Sequence, residues 1–210
     1  MRGAKTPSLQ RARLLLSEAE ALNPGPWVAH SRVTAEAAQS LAVHLPGLDP
    51  EVAHILGLLH DIGRRAGVTG MRHVIDGYNF LHEQGFELAA RICITHSFPL
   101  QDVREGFGEW DCSAEELAFV ERFLAHVEHS GYDRLIQLCD ACSLPSGCCL
   151  IEKRLVDVAL RYGPNAYTVP KWRAILALQR DFEQLMGRSI YAVLPGVVEN
   201  TFGPGFDGRR

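Results

Sequence analysis

No stretch of this sequence approaches the roughly 20 uncharged apolar residues that a bilayer-crossing helix needs, so no membrane-spanning segment is expected. An export signal is not expected either: Leu9 to Leu16 is interrupted by Gln10, Arg11 and Arg13, which leaves no apolar core. The expected compartment is the cytoplasm. Cysteine occurs without a disulfide framework. Cys93, Cys112, Cys139, Cys142, Cys148 and Cys149 lie mostly in apolar segments of helical character and are expected to stay reduced. Positive charge is not in excess either: 21 Lys and Arg stand against 25 Asp and Glu, a formal net charge of −4. That balance removes any general attraction to nucleic acid or anionic lipid. Alternating runs of Val, Ile, Thr and aromatics at strand length are scarce, which argues against a sheet protein.

What is plentiful is apolar side chains at helical spacing. The expectation is an all-α bundle of about nine helices. Its 210 residues suit one domain and would be cramped for two. Ser8 to Leu22 reads as a first helix closed by Asn23-Pro24-Gly25-Pro26, and a second runs from Trp27 to Leu45. A third follows Asp49-Pro50, with Gly63 near its end. Further helices are expected over Met71–Gln84, Glu87–Thr95, Ser113–Glu128, Arg134–Leu144, Leu150–Tyr162 and Pro170–Met186. Ser113 and Glu116 form a capping-box pattern, and Gly131 marks the far end of that helix. Phe98 to Cys112 reads as irregular. The chain is thus expected to be a single domain, 1–210, with a motif-bearing core over 27–144, a helical extension over 150–195 and a flexible tail over 199–210.

Chemistry concentrates in Leu58-Leu59-His60-Asp61-Ile62-Gly63, where imidazole and carboxylate adjoin at the end of an apolar helix. Such groups are costly inside a core unless something binds them. Val52, Leu56 and His60 share i, i+4 spacing, so His60 points with the core residues. His30 similarly continues Val33, Ala37 and Leu41. His96 continues Ala89, Ile92 and Cys93, and Asp140 falls one turn after Ile136. Metal-ligand residue types therefore recur on inward faces.

This ordered set resembles the HD superfamily of metal-dependent phosphohydrolases, whose signature is a histidine, a His-Asp doublet and a distant aspartate. Here those are His30, His60-Asp61 and Asp140, the doublet standing within the fuller His60-Asp61-Ile62-Gly63 form. His73-Val74-Ile75-Asp76-Gly77-Tyr78, followed 23 residues after His73 by His96, also resembles the extra histidine pair of the binuclear branch. That branch includes cyclic-dinucleotide phosphodiesterases and symmetrical dinucleoside tetraphosphate hydrolases. The Gly-Tyr-Pro motif of the first group is missing. The resemblance implies one divalent ion (iron, manganese, zinc, nickel or magnesium) on His30, His60, Asp61 and Asp140. A second would share Asp61 with His73 and His96. A metal-activated hydroxide would then attack phosphorus, with Asp61 and His60 as the catalytic pair. Arg64, Arg65 and Arg72 are candidate phosphate clamps, since guanidinium makes paired hydrogen bonds to phosphate.

Blander readings stand beside these. Any of the six could be a satisfied core residue, and Arg64 and Arg65 could be a solvated helix end. His82 is a rival for the place of His73, although Glu83-Gln84-Gly85 mark an exposed helix end. His44, His54, His126 and His129 read as structural or solvated, the last two sharing a helix face by spacing. Cys139 and Cys142 with Cys148 and Cys149 imitate a thiolate metal site but lack its separation. Lys153, Arg154, Lys171 and Arg173 could close over an anion, or simply serve a helix surface. Three functions follow: hydrolysis of a phosphate ester or anhydride in a nucleotide or related small molecule, nucleotide sensing without turnover, or a structural or thiolate metalloprotein.

Overall fold

The computed structural model describes residues 6–203. Ten α-helices lie in this range: α1 Leu9–Leu22, α2 Pro26–Ala42, α3 Pro50–Leu59, α4 His73–His82, α5 Glu87–Thr95, α6 Ala114–His126, α7 Gly131–Asp140, α8 Ile151–Tyr162, α9 Thr168–Met186 and α10 Val197–Phe202. The all-α expectation holds, with one addition, a two-stranded hairpin of β1 Ser143–Leu144 and β2 Gly147–Cys148.

Side chains set four of the ten α-helix starts. Ser8 accepts the amide of Arg11, Asp49 accepts those of Glu51 and Val52 ahead of Pro50, and Ser113 and Ser130 each form a capping box. The Ser130 cap corrects the expected role of Gly131. That glycine opens α7, because α6 has already ended at His126. At the other end of α7 the chain stops at Asp140 and turns into the hairpin, with Ser143 opposite Cys148, so Leu144 is not helical. The expected tail starts too early: Glu199 to Phe202 belong to α10, and residues 204–210 lie outside the described range.

The core forms where α2, α3, α5 and α7 meet, with α1 and α9 packed over it. Small residues let α2 and α3 approach closely. Ala35, Ala37 and Ala38 are fully buried, and a β-carbon on Gly57 would lie 2.5 Å from the Ala35 Cα. A second apolar cluster, built from Met71, Val74, Ile75, Ile94, Phe98, Val120 and Leu124, joins α4 and α5 to α6. Between the two clusters runs a short 3-10 turn, Ile62–Ala66, that abuts the start of α4.

Gly63 is what permits that contact. A β-carbon there would sit 1.9 Å from the His73 carbonyl oxygen and 2.4 Å from the Gly77 nitrogen, both backbone atoms of α4. Backbone cannot swing aside as a side chain can, so the two segments must separate. Gly63→Ala should cost about 3 kcal/mol of stability by urea unfolding, and an unchanged midpoint would refute this account of the contact.

Candidate metal centre

Six ligand-type side chains converge from five helix ends. His30 lies one turn into α2, His60 directly follows α3 and Asp61 comes next, His73 opens α4, His96 directly follows α5, and Asp140 closes α7. The antiparallel run of α4 and α5 returns His96 to the level of His73, their ring centroids 5.9 Å apart. His30, His60, Asp61, His73 and His96 are buried, and Asp140 is partly so.

Each imidazole is oriented by a backbone carbonyl. His60 Nδ1–H donates to Gly57 O at 2.8 Å, His73 to Gly70 O at 2.7 Å, His96 to Ile92 O at 3.1 Å and His30 to Ser143 O at 3.2 Å. A carbonyl only accepts, so the proton must sit on Nδ1. In the neutral rings this leaves a lone pair on every Nε2, and those four atoms face inward. His30 and His60 present Nε2 to each other at 3.3 Å, His30 Nε2 is 2.9 Å from Asp140 Oδ1, and His73 and His96 Nε2 are 3.3 and 3.7 Å from Asp61 Oδ1. His96 Nε2 can accept from Ser97 Oγ–H at 2.9 Å and His73 Nε2 lies 3.4 Å from Arg64 Nη2, whereas the lone pairs of His30 and His60 face each other and repel unless a cation lies among them.

The spacings fit one. Two ligands at about 2.1 Å from a shared ion lie about 3.0 Å apart at a right angle and about 3.4 Å apart at a tetrahedral angle. Three groups, His30-His60-Asp61, His60-His96-Asp140 and Asp61-His73-His96, each keep their ligand atoms within 4.8 Å of one another. Asp61 belongs to two of them, and its buried Oδ1 has no hydrogen-bond partner.

Protonation states agree with this picture. Burial lowers His30, takes His73 to about 4 and His96 to about 3, so these rings are neutral at pH 7. Burial works against the Asp61 carboxylate, yet the Arg64 guanidinium and the surrounding imidazoles hold it well below the usual range. Burial opposes ionisation of Asp140 too, yet its neighbours His30 and the Arg154 guanidinium hold that carboxyl well below the usual range. Neutral nitrogens and ionised carboxylates are the forms that bind divalent ions.

Comparison with known protein families matches the HD domain over residues 27–144, more than half of the chain. The protein belongs to the HD-domain family. Searches against curated proteins and against solved structures each returned no match. The matched segment runs from just before His30 to just after Asp140 and so contains all six converging residues. Members of the HD superfamily are mostly metal-dependent hydrolases, and HD domains bind divalent metals.

Of the three arginines expected to clamp phosphate, one faces the centre. Arg64 Nε–H donates to Asp61 Oδ2 at 2.8 Å, and its Nη2 lies 3.4 Å from His73 Nε2. Arg65 turns away, its guanidinium 4.0 Å over the Phe80 ring. Arg72 is engaged by Asp76 at 3.2 Å and Glu116 at 3.3 Å. Residues 64 and 65 sit side by side in a 3-10 turn, so their side chains leave in different directions and only one can face Asp61.

The remaining histidines stay apart. His82 is exposed, pairs with Glu87 at 2.8 Å and stacks on Tyr78. His44 is exposed and His54 is buried on α3. His126 closes α6 with Nδ1–H on Arg122 O, and His129 lies beyond that helix, so the two share no helix face. The thiols form no cation site. Cys139, Cys142, Cys148 and Cys149 are buried and free, burial pushes Cys148 to about 12 and Cys149 to about 11, and every ligand group found among the described residues is His and Asp only.

Two cations read as equally suited to surface duty instead face the centre. Arg154 of α8 places Nη2 3.4 Å from Asp140 Oδ1, its side chain only 14% exposed. Lys171 of α9 donates to the carbonyls of Ser97, at 2.7 Å, and Glu105, at 3.3 Å. Lys153 instead reaches Asn200 O and Thr201 O, and Arg173 is exposed. The sequence holds no signal separating the four, because which face of α8 and α9 packs inward depends on the partner surface. Asp133 gave no sequence signal either. It is fully buried, accepts two hydrogen bonds from Arg91 Nε at 3.0 and 3.1 Å and one from Thr95 Oγ1 at 2.6 Å, and so ties α5 to α7.

Two outcomes follow. His73 and His96 titrate lower folded than their usual 6.5, so the unfolded chain binds protons first and stability falls as pH drops below about 6.5. Asp61 and Asp140, also held low, add to the loss below about 4. In EDTA the urea midpoint should therefore decline from pH 7 to pH 5, and a flat profile would contradict it. Replacing Cys139 and Cys142 by Ala should cost about 1–2 kcal/mol each through lost packing and leave metal content unchanged, as read by elemental analysis.

Proposed function

We propose that the protein is a binuclear metal-dependent phosphohydrolase acting on a nucleotide or related small phosphate ester or anhydride. The observation that carries this reading is Asp61. It is shared by two ligand groups and keeps one buried oxygen without a hydrogen bond. On this reading His30, His60, Asp61 and Asp140 hold one divalent ion, while His73 and His96 hold another that shares Asp61. Bound divalent cations supply a Lewis acid that acidifies water and draws charge from phosphoryl oxygens.

The chain's own groups prepare the reaction. The carbonyl partners of Nδ1 keep each ring in the ligand tautomer. Arg64 and Arg154 stand beside the two carboxylates, where their remaining N–H groups can take phosphoryl oxygens. Lys171 lines the cleft on the His73 and His96 side and adds a third positive charge. A substrate that brings several negative charges matches this surplus of cations.

Metal-replete protein should carry close to two ions per chain and release phosphate from members of a phosphate-compound panel. Asp61→Ala should lose metal and turnover together. His73→Ala or His96→Ala should each lose one ion and slow hydrolysis by more than about 100-fold, because the nucleophile loses half of its activation. One ion per wild-type chain with unchanged turnover in both variants would reduce the centre to a mononuclear one. Binding of nucleotides with no hydrolysis of any panel member would make the protein a sensor.

A further inference from the structure

Two cavities open on the centre. The one beside His73 and His96 is narrow, about 130 Å³, and carries Lys171 and Phe107. The other, beside His30, holds about 500 Å³, a volume on the scale of small-molecule sites. Asp61, Arg64, Arg154 and Arg161 line both, so whatever lies in either cavity can place a phosphate at the centre.

The walls of the His30-side cavity differ in character. One wall belongs to α8, where Arg154 and Arg161 share Asp157 at 3.2 and 2.9 Å. The facing wall is apolar: Trp27, with Pro145 from the hairpin turn. The loop ahead of Trp27 is built to hold that ring still. Pro24 and Pro26 restrict its backbone, and Asn23 Nδ2–H donates to Arg64 O at 2.6 Å, which ties the loop to the centre. Trp27 Nε1–H donates to Asn23 O at 2.9 Å, inside the same loop. A β-carbon at Gly25 would come within 3.0 Å of Trp27 Cδ1, so the loop closes against the ring edge.

With its one polar atom satisfied locally, the indole has only π surface to offer a ligand. At the rim, the side chain of Val68 is fully exposed, a further apolar contact left without a partner. A fixed indole face beside a cationic phosphate wall suits a flat ring attached to a phosphate ester. Neither an inorganic polyphosphate nor a bare sugar phosphate would use it.

Building on the phosphohydrolase reading, we propose that the His30-side cavity is the subsite for a ring-bearing leaving group, stacked on Trp27 while Arg154 and Arg161 meet the phosphate. The substrate class is then a phosphate ester of a ring-bearing alcohol, such as a nucleoside. Arg154 and Arg161 lie beyond the matched segment 27–144, and Trp27 is its first residue.

The test is calorimetric titration of the full chain in EDTA, which silences turnover, with adenosine 5′-monophosphate and with ribose 5-phosphate as probes. The first should bind at least tenfold more tightly. Trp27→Leu should abolish that ratio while leaving ribose 5-phosphate affinity unchanged, Trp27→Tyr should keep most of it, and Phe107→Leu in the opposite cavity should keep all of it. A wild-type ratio near one overturns the proposal, and so does loss of the ratio in Phe107→Leu. The wild-type ratio needs no variant and decides the matter should Trp27→Leu fail to fold. Because it is read without metal, a tenfold ratio in a chain that binds no ions would leave the ring subsite standing and remove the hydrolytic reading. A ratio of one in a chain that binds two ions would do the reverse.

Discussion

A buried carboxylate surrounded by imidazole nitrogens is the charge on which the rest of this structure depends. Removing an ionised group such as Asp61 from water costs several kcal/mol even after relaxation, and the fold offsets that cost by gathering positive and polarisable groups around it. Arg64 comes from the same 3-10 segment, His73 from α4 and His96 from α5. Those contacts require the segment after α3 to press against α4, which is possible only because position 63 has no side chain. One backbone approach thus determines whether the group that joins Asp61 to His73 can form.

Around this charge lies a second layer that fixes orientation. Four histidines are pinned through Nδ1 by carbonyls of their own or neighbouring segments, so ring direction follows from helix geometry and does not need further side chains. The Asp133 clamp acts one step further out. By taking Arg91 and Thr95 of α5 onto the first turn of α7, with Gln137 Nε2–H donating to Thr95 O at 2.8 Å, it sets the distance between His96 and Asp140. Rigidity of this kind suits a centre whose ligand atoms must meet within a few tenths of an ångström.

The C-terminal third has a different task. The HD segment ends at residue 144, yet α8 and α9 return to cover the centre and bring Arg154, Arg161 and Lys171 to its cavities. The segment common to the family carries the six candidate ligands, and on the proposed reading the part outside it helps to shape what can approach them.

Much of the centre was legible in the residues alone. Helical spacing turns His30, His60, His96 and Asp140 toward the interior, and a buried histidine or aspartate needs a partner, so their convergence follows from periodicity and the cost of burial. Three helix starts were equally plain, because Ser8, Asp49 and Ser113 act on amides three residues away or nearer. Long-range packing was not. Whether Arg64 or Arg65 faces Asp61, whether Arg154 or Lys153 faces the cavity, and whether Gly131 ends one helix or begins the next all depend on a surface supplied by distant segments. The sequence by itself determined which groups must be compensated; the tertiary structure decided which neighbours compensate them, because burial is a local demand and its satisfaction is a contact between elements far apart in the chain.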